Sequence, residues 1–551
     1  MRRGGGNAME KMMSAIVAVF AVMACTANSE DFRKKIIACS WDFGTFTVAD
    51  VLSNKAAIAA LPVDGVMLSA VGPILPDGKP LNPKKGFSGT NEWPKGILAP
   101  LVPQFREATA IQSLRHSFTL FRLSRNKKNR LDFRDDAGWA RAFANVRQLA
   151  VLARDGGLKG LVMDPEDYNN GEQFVRQENE PPYEEMVTLA RRRGREFSQT
   201  VLSAYPDMIL FTFWAFSQGR RYMAQLNPRE EMRVSGELYI PFLDGVLDAI
   251  PPGVRIVDGD ETSYNYSAYG GELMTYAEKI CQNRSCIALV SPENREKFRA
   301  QVLFANALYL DRYTNKKGKR YYSGPLNGSR LLKFDENLNA ALRAADEYTW
   351  LWCEKFAWID WKIHGKPTQK IGFDKHRTWD DELPGIYDAI WSARSPNDFL
   401  DRRFPEIRNV GACTNLVSVE DMKVTGKAKH GRRVFVMPVR RGERYVVEFT
   451  AKGTAANAHV GFSKTEGKRL WGLRSLVARG EGSHRLLVKI GPETEFIKFS
   501  IGVDKSYGKE AQAVFSNIGC YRLPAPIELE DVGVSVIDGT ADDEKKEEMR
   551  K

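Results

Sequence analysis

Histidine is scarce in this chain: there are six in 551 residues, none spaced as HxH or HExxH. A histidine-based metal centre is therefore not expected. Seven cysteines are present, and none has the paired spacing of a zinc site. After residue 24 no apolar run is long enough to span a bilayer. The first strand-like run is followed by "SWDFGTF" and not by a glycine-rich phosphate loop. No DNA- or RNA-binding motif is readable. Nor is there the His/Tyr base pair or metal triad that a polysaccharide lyase or a deacetylase would need. No cofactor is implied.

Arg2, Arg3 and Lys11 precede the apolar run "MMSAIVAVFAVMA" at 12–24, and small polar residues follow it. That order predicts an export signal over 1–27, cleaved after Ala24 or Ala27. Cys25 directly after "VMA" offers a bacterial lipoprotein anchor as the alternative, and with it the one membrane attachment in the sequence. The expected location is extracellular, periplasmic or on the outer surface. Export permits disulfides. Cys281 and Cys286 bracket "CQNRSC" as a short-loop bridge, and Cys413 and Cys520 stand at the two ends of the C-terminal region. Cys39 and Cys353 lie in apolar runs and read as buried thiols. The net charge of +11 suits acidic partners such as sulfated or uronic polysaccharides, nucleic acid or a membrane surface. Export and the missing motifs weigh against nucleic acid.

Hydrophobic and charged fractions of 43% and 27% are those of a globular protein, and the length predicts two domains. Over 33–404, β-rich apolar runs alternate with helical patterns. Strands are expected at 35–41, 64–72, 118–123, 158–164, 208–216, 254–260, 306–313 and 349–358. Eight such units predict a (β/α)8 TIM barrel, with an open doubly wound sheet as the alternative. Over 410–525 the helical period disappears and alternating strands recur between turns ("RRVFVMPV", "RYVVEFTAK", "FIKFSIGV"), which predicts an all-β sandwich. The charged stretch 538–551 has no core-forming content.

In a barrel of this kind chemistry sits at the C-terminal ends of the strands, and residues two apart share a face. In "LVMDPEDYNN", Asp164 and Glu166 therefore project together toward the mouth while Asp167 turns away. Two carboxylates this close repel, which favours the neutral form of one and supplies a general acid. In the eighth strand Trp350, Trp352 and Glu354 share one face, two indoles beside a carboxylate. Indoles offer apolar area to the C–H faces of a sugar ring. Asp258 and Asp260 share a face at the end of the sixth strand, with Glu261 and Tyr264 following. Trp41 and Trp214 complete the candidate substrate-binding set.

The run "GLKGLVMDPED" resembles the fourth-strand signature D-G-x-D-x-D-x-E of chitinase-type (family eighteen) glycoside hydrolases. The resemblance implies Glu166 as proton donor and Asp164 as its supporting acid. Gly160 matches, while Lys159 and Val162 replace the earlier acids, and no S-x-G-G run marks the third strand. The same motif with the later "WLWCEK" also resembles secreted bacterial barrel proteins of glycosidase type. The C-terminal region, from "NLVSVED" through "GERYVVEFTAKG" to "AVFSNIGCYRL", resembles jelly-roll carbohydrate-binding modules. Together these readings predict an exported glycoside hydrolase, with Glu354 as the expected second carboxylate. The rival expectation is a non-catalytic glycan-binding surface protein built on the same barrel.

Overall fold

The computed structural model describes residues 34–525 except 76–77, 79, 126, 168–171, 269–273, 364–373, 420–421, 426–431, 465–475 and 509. The expected export signal at 1–27, with Cys25, and the charged tail at 538–551 lie outside the described residues. No helix among the described residues is long and apolar enough to cross a membrane.

Up to Asn409 the chain is an α/β unit. Its strands are β1 (Lys35–Ser40), β2 (Gly65–Val66), β3 (Phe118–Arg122), β4 (Gly160–Asp164), β5 (Ile209–Thr212), β6 (Arg255–Asp258), β7 (Val302–Phe304), β8 (Asn306–Tyr309) and β9 (Tyr348–Cys353). They pair in parallel in two sheets, ordered β2-β1-β9-β8 and β3-β4-β5-β6-β7. A parallel bridge between Met67 and Phe118 links the edges at β2 and β3. At the other edges, β7 and β8 are one extended segment interrupted at Ala305, its first half paired with β6 and its second with β9. The sequence pattern places this strand at 306–313. In the structure it begins at Val302, in residues that continue the preceding helical pattern, and gives way to a 3-10 turn at Leu310–Tyr313.

Alternation along the strands builds two cores. Ile37, Cys39, Phe118, Val162, Phe211, Phe213, Val257, Tyr348 and Trp350 form an inner cluster with the small residues Ala305 and Ala307. The intervening Ile36, Ala38, Phe121, Leu161, Met163, Leu210 and Ile256 face the helices in a larger cluster. Burial on both faces explains why these strands read as near-continuous apolar runs. The helices Tyr183–Thr200 and Tyr239–Ala249 touch backbone to backbone. A Cβ on Gly194 would lie 1.9 Å from the Phe242 carbonyl oxygen, and one on Gly245 1.9 Å from that of Arg191.

The C-terminal region holds antiparallel sheets. One orders Thr414–Val419, Gln512–Arg522, Arg444–Lys452 and Gly482–Lys489; the other orders Arg432–Pro438, Phe496–Val503, Ala456–Ser463 and Leu476–Arg479. Val447, Phe449 and Phe515 of the first share a core with Val460, Ile497, Phe499 and Ile501 of the second. On the far side of the first sheet, Val446 and Leu523 pack against Phe399, Leu400, Phe404 and Ile407 of the α/β unit's last helical segment. Arg441 grips Glu336 with two hydrogen bonds of 2.6 and 3.0 Å across the same junction. All six cysteines among the described residues are free thiols. The bridge read at Cys281 and Cys286 is absent because the first is exposed on a helix and the second buried in the following turn.

The glycine contact between the two helices leaves no room for a methyl group. Gly245→Ala is expected to destabilise the α/β unit by about 1–3 kcal/mol through overpacking. Thermal and denaturant unfolding check this; an unchanged midpoint would show that the helices separate at little cost.

Candidate active site

A cavity of about 620 Å³ opens at the C-terminal ends of the parallel strands. Trp41 comes from the end of β1, Arg122 from β3, and Asp164 and Glu166 from β4. Phe213 follows β5, and Glu261 and Tyr264 follow β6. Tyr309 ends β8, and Trp350, Trp352 and Glu354 come from β9. Lys84 reaches in from the long connection between β2 and β3.

Alternation carries Val162 into the inner cluster, so Asp164 and Glu166 continue along that face to the mouth. The Glu166 backbone N–H donates to Asp164 Oδ1 at 2.9 Å, and Arg122 Nε lies 3.4 Å from Asp164 Oδ2. Burial raises the Asp164 carboxyl to about 6, against the lowering effects of the Glu166 N–H, Arg122 and Lys84. Asp167 is exposed, and its carboxylate accepts from the Glu172 backbone N–H.

Glu261 lines the same cavity as Glu166, close enough for each carboxyl to feel the other's charge. Two buried carboxyls beside each other favour the neutral form of one. Burial first, then the Glu166 and Asp164 charges, pushes Glu261 up to about 9. The backbone that delivers Glu261 is unusual: Asp260 sits at φ +39°, a left-handed conformation uncommon outside glycine. Asp260 is held there by Arg220 Nη1 at 2.5 Å, Asn283 Nδ2 at 2.9 Å and Thr262 Oγ1 at 2.5 Å.

Across the cavity, Glu354 accepts from Tyr309 Oη at 2.9 Å and from Trp352 Nε1 at 3.2 Å. Its backbone N–H donates to Asp311 Oδ1 at 3.3 Å, and burial raises Asp311 to about 6. Trp350 is fully buried and stacks on Phe213, with centroids 4.9 Å apart and planes at 7°. Its Nε1–H donates to the Gly259 carbonyl at 2.8 Å. A Cβ on residue 259 would come within 2.6 Å of the Thr212 carbonyl oxygen and 3.0 Å of that indole nitrogen, so glycine is required. Trp41 and Trp352 meet at 5.9 Å and form the more open aromatic wall.

Three of the expected residues stand elsewhere. On β6 the inner face carries Val257, Gly259 and Glu261, so Asp258 and Asp260 point away from the cavity. Asp258 is fully buried and accepts from the Ser217 N–H and hydroxyl, both at 2.7 Å. Asp260 serves the network just described. Trp214 is half-buried against both cores, and only its carbonyl is engaged, by Thr212 and Tyr239. Lys84, Arg122 and Tyr309 line the cavity as well, outside the set expected from the sequence. The lysine lies in a loop with no regular pattern; Arg122 and Tyr309 were legible as strand-end polar residues. Among the described residues, no group of histidine, cysteine and acidic side chains could hold a metal ion.

A second, polar cavity of about 800 Å³ lies on the C-terminal region, lined by Arg408, Glu448, Thr450, Arg485, Asn517 and Tyr521. Glu448 is already engaged there by Arg408 and, at 3.2 Å, by Arg485.

No protein-family model matches the chain, and no curated protein matches it. Among solved structures it is similar to a glucosidase from Croceicoccus marinus, at 10% identity over 82% of this chain and 91% of that one, TM-score 0.35. A Bacteroidetes-affiliated GH5 cellulase gives 12% identity over 68% and 94%, TM-score 0.34. A CBM4 structure gives 13% over 21% and 83%, TM-score 0.15. Glycoside hydrolases are thus among its structural neighbours, at similarities too low to carry an argument about mechanism.

The protonation of Glu261 has a consequence for stability. A carboxyl that titrates higher in the folded than in the unfolded chain binds more protons when folded, so its contribution declines as pH rises between the two values. For Glu261 that window runs from the ordinary glutamate value to about 9. Glu261→Gln removes the penalty and is expected to stabilise the α/β unit by about 1–2 kcal/mol at pH 8, and by less at pH 5. Melting curves at both pH values decide it; a variant less stable at pH 8 contradicts the assignment.

Proposed function

We propose that the chain is an exported glycoside hydrolase that cleaves a glycan by carboxylate acid–base chemistry. The observation that carries this reading is the convergence of Asp164, Glu166 and Glu261 in an aromatic-walled cavity, where burial and the neighbouring carboxylates favour a proton on Glu261. A glycosidic oxygen needs a proton as its bond breaks. This cluster retains one at neutral pH because burial and the Asp164 charge disfavour ionisation of both glutamates. Glu166 delivers it to the leaving oxygen, and Asp164 fixes the Glu166 backbone. Glu354 is the second carboxylate: with both oxygens held by Tyr309 and Trp352, it offers negative charge to the oxocarbenium-like transition state. Trp41 and Trp352 give the sugar ring an apolar face to lie against.

The same reading includes a single eight-stranded barrel. The Met67–Phe118 bridge and the shared β7/β8 segment support joining the two parallel sheets into one ring. It includes the C-terminal sheets as a jelly-roll, carbohydrate-binding-module-like appendage. Export rests on the N-terminal pattern of basic residues followed by an apolar run.

Release of reducing ends from purified polysaccharides, acidic ones included, tests the proposal. Glu166→Gln, Glu261→Gln and Glu354→Gln are each expected to lower kcat/KM by about 10²–10⁴-fold. For the wild type, kcat/KM is expected to fall on the alkaline side as the cluster loses its proton, near the value of about 9 reached by Glu261. Full activity in all three variants would falsify the assignment. Tight glycan binding with no cleavage of any substrate would move the protein to the non-catalytic class.

A further inference from the structure

The cavity holds a cation that the proposed hydrolysis does not use. Lys84 sits on the 3-10 turn Pro83–Lys85 and reaches into the cavity beside Trp41, its Nζ 5.9 Å from the indole centroid. The same nitrogen would lie 3.4 Å from a Cβ placed on Gly44. Among the described residues, no hydrogen bond or ion pair satisfies this ammonium. Its strongest charged neighbour is another cation, Arg122, which is already paired with Asp164 and 41% exposed. Burial and Arg122 bring Lys84 down to about 8, with Cys39 and Asp164 opposing that shift. Ser69 and Thr119 line the same side of the cavity.

Lys84 and Arg122 crowd one wall with Asp164 as their shared carboxylate neighbour, an excess of positive charge that costs free energy in the empty cavity. An anionic group placed between them recovers it. A neutral sugar can accept a hydrogen bond from the ammonium but leaves the excess positive charge uncompensated. We propose that Lys84 and Arg122 form a subsite for an anionic substituent, a uronate carboxylate or a sulfate ester, on the sugar ring that lies against Trp41. The substrate class is thereby an acidic glycan. This rests on the glycoside-hydrolase reading for the choice of a sugar as ligand, and not on any bond being cleaved.

The test therefore measures binding, on the full chain carrying Glu166→Gln so that turnover cannot interfere. The probes are hexuronate oligosaccharides with their carboxyl-reduced neutral counterparts, and sulfated galactan oligosaccharides with their desulfated counterparts. Calorimetric titration is expected to give tighter binding of one anionic probe than of its neutral partner. Adding Lys84→Met should cut that selectivity ratio by about 10–100-fold, the loss of one charge-assisted hydrogen bond in a partly desolvated site. Lys84→Arg should restore most of it. Which pair shows the difference separates carboxylate from sulfate. Equal affinity for charged and neutral partners, no binding of any anionic probe, or a ratio unchanged by Lys84→Met in a protein of unaltered melting temperature overturns the proposal. Selective binding by a wild-type chain that hydrolyses nothing would instead overturn the hydrolase reading and leave the anionic subsite standing.

Discussion

Withdrawing several carboxylates from water beside one another is the constraint on which the rest of this site depends. Asp164, Glu166 and Glu261 converge on one side of a partly enclosed cavity. Each adds to the cost of ionising the others, and burial enlarges every term. The fold offsets part of that cost with the Glu166 N–H on Asp164 and with the Arg122 guanidinium. The remainder is relieved by the raised affinity of Glu261 for its proton. The chemical capacity of the site and its electrostatic cost are thus one feature seen from two sides.

Holding Glu261 in place requires backbone that regular strand geometry does not provide. The left-handed Asp260 turns the chain after β6, and its own carboxylate is tied to Arg220, Asn283 and Thr262. Gly259 lets the Trp350 indole close against the strand end, and the indole N–H takes its carbonyl. Trp350 is at once the floor of the cavity and a brace for the segment that carries the acid. Local strain at Asp260 persists because these contacts over-determine it.

Much of this was legible in the sequence, and the exceptions have a common cause. Period-two alternation places Asp164 and Glu166 together, and Trp350, Trp352 and Glu354 together, because β4 and β9 run straight into the cavity. The same rule applied to "VDGDE" selects Asp258 and Asp260, since alternation identifies which residues share a face and not which face is interior. The missing information was packing: Val257 fills the inner cluster, and glycine at 259 is the mark of an indole pressed against the backbone. The start of β7 is hidden in the sequence for a related reason. "AQVLF" continues an apolar helical pattern, and only its pairing with β6 makes it a strand. Lys84 was out of reach, because a lysine in a Pro/Gly-rich loop carries no periodic signal.

The two faces of β6 divide the work. Outward, Asp258 and Asp260 are buried acids satisfied by hydroxyl, amide and guanidinium donors, and they anchor the strand to the helical layer. Inward, Glu261 meets the Glu166 and Asp164 charges, and burial favours its protonated form. Acids of one type, within four positions of each other, are structural or chemical according to which donors surround them. The cavity has a comparable polarity. Cations from the β2–β3 side, Lys84 and Arg122, face a ring of acids that runs from β4 through β6 to Glu354, with Trp41 and Trp352 between. A ligand lying on that aromatic wall would meet positive charge at one end and proton-bearing carboxyls at the other. On the proposed reading, that polarity sets which way round an acidic sugar would lie.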